Sequence, residues 1–192
     1  MPTTLERFTS AAEEFGKKVR QIKDDQWGDP TPCTEWNVRA LVNHLVYELR
    51  WAVPLLQGTT IADVGDQFEN KDLLGEDPEV TWAEAQAAAI AAASAPQALE
   101  GSVHLSYGDR AGDYYVAEVT TDLIVHGWDL AKGIRADTSI DDETAAWAYG
   151  DLAPKLSGGR MGAFAPEVAV AEGADPASKL IAFTGRDPAW GR

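Results

Sequence analysis

Asp122 and His126 lie four residues apart in the stretch Glu118-Val119-Thr120-Thr121-Asp122-Leu123-Ile124-Val125-His126-Gly127-Trp128-Asp129-Leu130-Ala131. On an α-helix that spacing stacks both side chains on one face, one turn apart. A carboxylate and an imidazole so arranged can each give a ligand atom to one divalent cation at about 2 Å. Two ligands hold a cation weakly, so a third has to come from elsewhere in the chain. There are only three histidines. His44 lies on the strongest amphipathic pattern of the N-terminal half, and it completes a candidate metal site of His44, Asp122 and His126 between two helices. Two imidazoles and one carboxylate suit zinc first, with iron or nickel as alternatives. Glu48 follows His44 by one turn and is open to several roles: fourth ligand, partner of a ligand, general base, or a solvated or arginine-paired carboxylate. His104 falls in an alternating segment and reads as a surface or turn-facing imidazole. No catalytic residue is assigned.

These residues need rigid helices behind them. Leu5, Phe8, Ala12, Phe15, Val19 and Ile22 recur at steps of three and four, predicting an amphipathic helix over about 4–25. After a loop containing Pro30 and Pro32, Asn37 reads as an N-cap, with Trp36 and Leu41 at the positions of a hydrophobic staple. Leu41, Leu45, Leu49 and Ala52 then form the stripe of a helix over about 38–57, and Pro54 ends or kinks it. Residues 58–80 lack periodicity and read as a long crossover or lid. An alanine-rich helix over about 81–95 opens with Thr81 and Glu84 as a capping box. Val103, Leu105 and Tyr107 alternate as an extended segment, and Gly108-Asp109-Arg110 reads as a turn. The helix carrying Asp122 spans about 113–132, with Gly133 as its C-cap. A fifth helix covers about 141–156. Gly158-Gly159-Arg160-Met161-Gly162 reads as a hinge, since it lacks the lysine and hydroxyl residue of a phosphate loop. Phe164–Val170 looks extended, and Asp175-Pro176 caps a last short helix.

The fold class expected is mainly all-α. It is an antiparallel four-helix bundle with a long crossover, plus a fifth helix and a short α/β C-terminal tail. Residues 1–135 form the metal-binding bundle and residues 136–192 an extension packed on it.

Composition narrows the function. The net charge of −15 over 192 residues repels phosphate backbones and anionic membrane surfaces, so neither nucleic acid nor a membrane is an expected partner. Cys33 is the single cysteine, which precludes an internal disulfide and fits a reducing, cytoplasmic setting. It lies one turn before a helix N-terminus, where a thiolate would be favoured. With Arg39 as its one nearby basic residue, structural burial is the better reading. Met1–Arg7 has no apolar signal core, and no apolar run reaches the ~20 residues of a membrane span.

Two segments carry a family resemblance. Thr31-Pro32-Cys33-Thr34-Glu35-Trp36-Asn37-Val38-Arg39-Ala40-Leu41-Val42-Asn43-His44 resembles the start of the second bundle helix in the mycothiol-dependent maleylpyruvate isomerase N-terminal domain family. His126-Gly127-Trp128-Asp129-Leu130-Ala131 resembles its second histidine motif. That family belongs to the DinB/YfiT-like group of metalloenzymes, and the C-terminal Gly-Arg-Asp-Pro segment is similar to that of a branch of short actinobacterial proteins. The resemblance implies a DinB-like metal-binding bundle and mycothiol as cosubstrate. There are two departures. The isomerase has a glutamate where this chain has Asp122, and it has a separate C-terminal domain, whereas only about sixty residues follow the bundle here.

The expectation is therefore a metal-dependent enzyme acting on a small thiol and an electrophile, of isomerase or S-transferase type. An open divalent site lowers the pKa of a bound thiol as it does that of water. The competing expectation is a non-catalytic metal- or small-ligand-binding bundle serving as sensor, carrier or regulator. A homodimer is left open.

Overall fold

Helix α5 (Gly112–Ile134) runs through the centre of the molecule, and most of its residues are buried. It forms a bundle with three other long helices in a computed structural model that describes residues 1–156 and 164–191. They are α1 (Thr4–Val19), α2 (Val38–Leu56) and α4 (Pro78–Ala93). Helix α1 packs on α4 and α5, and α2 packs on the same two, so the four close into a ring around one core. A short helix α3 (Ile61–Val64) lies in the crossover. Strands β1 (Ser102–Leu105) and β2 (Gly108–Ala111) form one antiparallel hairpin before α5. Helices α6 (Asp142–Leu156) and α7 (Pro176–Phe183) follow it, α6 against α5 and α7 against α6. The architecture is mainly helical, as the periodicity predicts, and DinB-like, as the family resemblance implies.

The stripes define the core. Phe8, Ala12, Phe15 and Val19 of α1 are buried against Leu41, Leu45, Leu49 and Ala52 of α2 and the alanines of α4. Small residues let the helices approach. Gly16 of α1 faces Trp82 of α4, where a Cβ would come within 2.7 Å of the indole nitrogen, and the Trp82 ring lies 4.4 Å from that of Phe15.

Four local expectations are corrected. Helix α1 stops at Val19 instead of near Asp25. The chain turns there so that Gln26, buried, can donate its side-chain amide to the Ile134 carbonyl at the end of α5. Helix α4 begins a turn earlier than the Thr81–Glu84 pattern suggests. Asp77 is the N-cap and Pro78 the first helical residue, where proline has no amide to waste. Thr81 instead donates its hydroxyl to the Leu74 carbonyl. Gly133 lies inside α5, and the cap is Arg135 in the left-handed region at φ 60°. Glycine at 133 lets the chain pack closely there, since a Cβ would sit 3.1 and 3.2 Å from the Val38 and Thr31 side chains, which would have to give by a few tenths of an ångström. Gly108-Asp109-Arg110 belongs to β2, with Ser106 and Tyr107 making the turn.

The crossover is fastened to α2. Arg39 pairs with Asp72 at 2.7 Å, Asn43 exchanges hydrogen bonds with Lys71 and Leu73, and Leu74 is fully buried. Among the described residues after α6 there is a helix and no strand. Val168 donates its backbone N–H to Ala182. The Gly158–Gly162 hinge lies outside the described residues. No helix is long and apolar enough to cross a membrane among the described residues.

Candidate metal centre

Helix α2 presents His44 and helix α5 presents Asp122 and His126, and the α2–α5 packing brings the three together. One nitrogen of each imidazole and one carboxylate oxygen all lie within 4.8 Å of one another. His44 Nε2 is 3.0 Å from Asp122 Oδ2, and His126 Nε2 is 3.4 Å from Asp122 Oδ1. The two rings meet edge to face with centroids 5.2 Å apart. Both Nε2 atoms thus converge on one carboxylate, and neither histidine is a lone core residue.

Trp36 covers the pair, its ring 4.3 Å from that of His44 and 5.3 Å from that of His126. This tryptophan packs against the core, as the staple reading expects, and it also forms part of the wall of the site. Asn37 does cap α2, accepting from the Ala40 amide at 2.9 Å, which sets where His44 falls along the helix. Glu48 Oε1 is 4.0 Å from His44 Nδ1, too long for a hydrogen bond but close enough for attraction. His104 is set apart from the site, on β1, paired with Asp109 at 2.9 Å.

The electrostatics follow from this crowding. Burial opposes ionisation of Asp122, but the His126 charge and the hydrogen bonds from both imidazoles hold its carboxyl far below the usual carboxylate range. Burial also disfavours the imidazolium of His126, yet Asp122 and behind it Asp129 outweigh that and push it up to about 9. Burial and the neighbouring Asp122 charge push Glu48 up to about 7 against the pull of both histidines. Burial raises the Cys33 thiol, with Arg186 pulling the other way. Cys33 is a half-buried free thiol, and its Sγ lies within 4.8 Å of possible ligand atoms of His126 and Asp129.

Two residues of the site go unnoticed in the sequence reading. Asp129, fully buried, lies 3.0 Å from His126 Nδ1 through Oδ2. Its spacing of three from His126 in a helix was the available signal. Arg186, also buried, comes from the segment after α7 and donates to Asp129 from both Nε and Nη2. Nothing local in the sequence joins Arg186 to Asp129.

The three convergent residues line a cavity of about 1210 Å³. Tyr47, Trp51 and Tyr115 give it an aromatic wall, and Arg110 and Glu118 lie toward the hairpin side. Tyr107 donates its hydroxyl to Glu118, and Arg110 stacks over Tyr107 and Tyr114 at 5.5 and 5.6 Å. Lys155 is held by Asp151 at 2.9 Å. A second cavity, of about 860 Å³, lies beside α1 and α5 and contains none of the three.

A family model described as mycothiol maleylpyruvate isomerase N-terminal domain matches residues 8–131, a stretch that runs from within α1 through most of α5 and holds all three convergent residues. Two uncharacterized proteins of Mycobacterium tuberculosis, one from strain CDC 1551 / Oshkosh and one from strain ATCC 25618 / H37Rv, are each 29% identical over 187 residues. Each alignment covers 92% of this chain and 93% of the relative. No solved structure matches the chain.

Proposed function

The chain belongs to the mycothiol maleylpyruvate isomerase N-terminal domain family, and from that premise we propose a metal-dependent enzyme that uses a small thiol, of isomerase or S-transferase type. The observation that carries the proposal is the convergence of His44 Nε2, His126 Nε2 and the Asp122 carboxylate in the wall of a large cavity.

The donor set fits a divalent cation. Asp129 is acceptor-only when ionised, so the proton it receives is on His126 Nδ1, leaving Nε2 as the donor atom. Asp122 supplies the only negative charge among the three ligands, which are His44, Asp122 and His126. Two imidazoles and a carboxylate suit zinc, with nickel and iron as the other candidates. Three protein ligands leave the cation open, and when bound it supplies the Lewis acidity that lowers the pKa of a coordinated thiol. Trp36 shields the two imidazoles, which strengthens their electrostatic coupling to Asp122. The aromatic wall of Tyr47, Trp51 and Tyr115 provides apolar area to orient a bound molecule, while Arg110 and Glu118 offer polar handles. Burial raises the Cys33 thiol, which disfavours its thiolate, and the scheme assigns the reacting sulfur to the substrate. Mycothiol is the thiol that family membership favours.

The test is turnover of a panel of small electrophiles by zinc-reconstituted protein with mycothiol, with His126→Ala as control. Mycothiol-dependent turnover lost in the variant supports the enzyme. Tight zinc binding without turnover across the panel favours the non-catalytic reading, a metal- or ligand-binding bundle.

A further inference from the structure

We propose that Arg186 is a positioning residue for the metal centre, acting through Asp129 to set the proton position and aim of His126. The C-terminal segment is then a working part of the site. This rests on the metal reading of His44, Asp122 and His126.

The chain of contacts is continuous and buried. His126 Nδ1 is 3.0 Å from Asp129 Oδ2. Asp129 has no exposed side-chain surface, and Arg186 and His126 side chains are 8% and 7% exposed. The guanidinium uses Nε to reach Oδ1 and Oδ2 of Asp129 at 3.2 and 3.1 Å and Nη2 to reach Oδ2 at 2.9 Å. Its Nη1 donates to the Thr184 carbonyl at 3.1 Å. A carboxylate buried without a partner would be costly and would swing toward any available donor. The forked pairing fixes the Asp129 plane, and the remaining acceptor capacity is directed at His126 Nδ1. A histidine held by a carboxylate at one nitrogen is committed to offering the other. Here the other, Nε2, is the one that faces Asp122.

The segment is shaped for this task. Gly185 has φ +83°, and a Cβ there would lie 2.7 Å from the Ala165 carbonyl oxygen, so only glycine lets the chain turn Arg186 inward. Beyond it, Lys132 at the end of α5 donates to the Pro188 and Trp190 carbonyls at 3.3 and 2.9 Å. The tail is thereby tied to the helix that carries Asp129. Lysine at 186 would keep the charge but lose the fork.

The experiment compares wild type with Arg186→Lys, Arg186→Gln, Asp129→Asn and the double variant Asp129→Asn/Arg186→Gln. The double variant removes both buried charges together and so avoids an orphaned one. Zinc affinity is read by competition with a chromophoric chelator. The His126 nitrogen shifts are read by NMR on metal-free protein with the imidazole in its neutral form. Circular dichroism checks the fold. Arg186→Gln, Asp129→Asn and the double variant should each bind zinc about 10- to 100-fold more weakly, with the double no worse than Asp129→Asn alone, and Arg186→Lys should fall between. Wild-type His126 should carry its proton on Nδ1, and the double variant should give a mixture of the two neutral forms. A folded double variant with wild-type zinc affinity and unchanged nitrogen shifts overturns the proposal. If wild type binds no zinc, the metal reading fails. The nitrogen shifts then decide this inference alone, a mixture in the double variant supporting it and unchanged shifts refuting it.

Discussion

Replacing Asp122 by asparagine removes one charge and keeps the size and one carbonyl oxygen. The carboxylate lies 3.0 Å from His44 Nε2 and 3.4 Å from His126 Nε2, so it faces the place where a shared cation would be held. Two unit charges about 4 Å apart interact by about 4 kcal/mol at an effective dielectric of 20. A dication doubles that attraction, while the amide oxygen of asparagine retains part of it and solvent at this mostly buried position screens some of the rest. A net loss of about 2.8 kcal/mol is expected, roughly a hundredfold in Kd. Asp122→Glu is the informative contrast. Aspartate already reaches between both rings, so a longer side chain has no gap to close, and zinc affinity should stay within about tenfold of wild type. Competition titration of the three proteins at one pH and ionic strength reads both effects. Asp122→Asn binding zinc as tightly as wild type would refute the reasoning, and Glu48 would be the next carboxylate to test.

Zinc at about 100 times its Kd should stabilise wild type by about 2.7 kcal/mol and leave His126→Ala unmoved, as read by thermal unfolding with and without chelator; equal shifts in both proteins would argue against this site. Gly112→Ala should destabilise by about 1–3 kcal/mol in urea titration, because a Cβ would lie 1.9 Å from the Ala98 carbonyl oxygen at the start of α5. Asp175 caps α7 by accepting from the Ser178 amide and hydroxyl, which lowers its carboxyl below the usual range. A lowered folded-state value means the stabilisation is present above the unfolded value near 3.8 and is lost as pH falls through the folded one. Asp175→Ala should therefore cost about 1 kcal/mol at neutral pH and little at strongly acidic pH; a gap between the two proteins that persists in acid would contradict it.

The three candidate ligands were legible because each depends on a local period. Asp122 and His126 are one turn apart, and His44 sits on a stripe whose phase is set by Leu41, Leu45 and Leu49. The packing of α2 on α5 then brings the two rings together. Arg186 was not legible, since its partner lies 57 residues earlier and the pairing depends on how α7 and its following turn fold back. Trp36 packs against the core, as a staple residue does, and its ring also lies 4.3 and 5.3 Å from those of His44 and His126, a contact with two different helices that a local motif does not encode. The start of α4 shows two local signals in competition. Asp77-Pro78 and Thr81–Glu84 both resemble helix starts, and the earlier one prevails because Thr81 is spent on the Leu74 carbonyl. The end of α1 turned on a tertiary bond from Gln26 to the far end of α5, which no periodicity in residues 4–25 encodes.

The most direct measurement of the central claim is elemental analysis of the protein purified without a histidine tag, repeated on His44→Ala/His126→Ala. The account predicts roughly one divalent cation per chain, chiefly zinc, in wild type and none in the double variant. Wild-type protein that carries no divalent metal and takes none up when offered zinc, nickel or iron would contradict it.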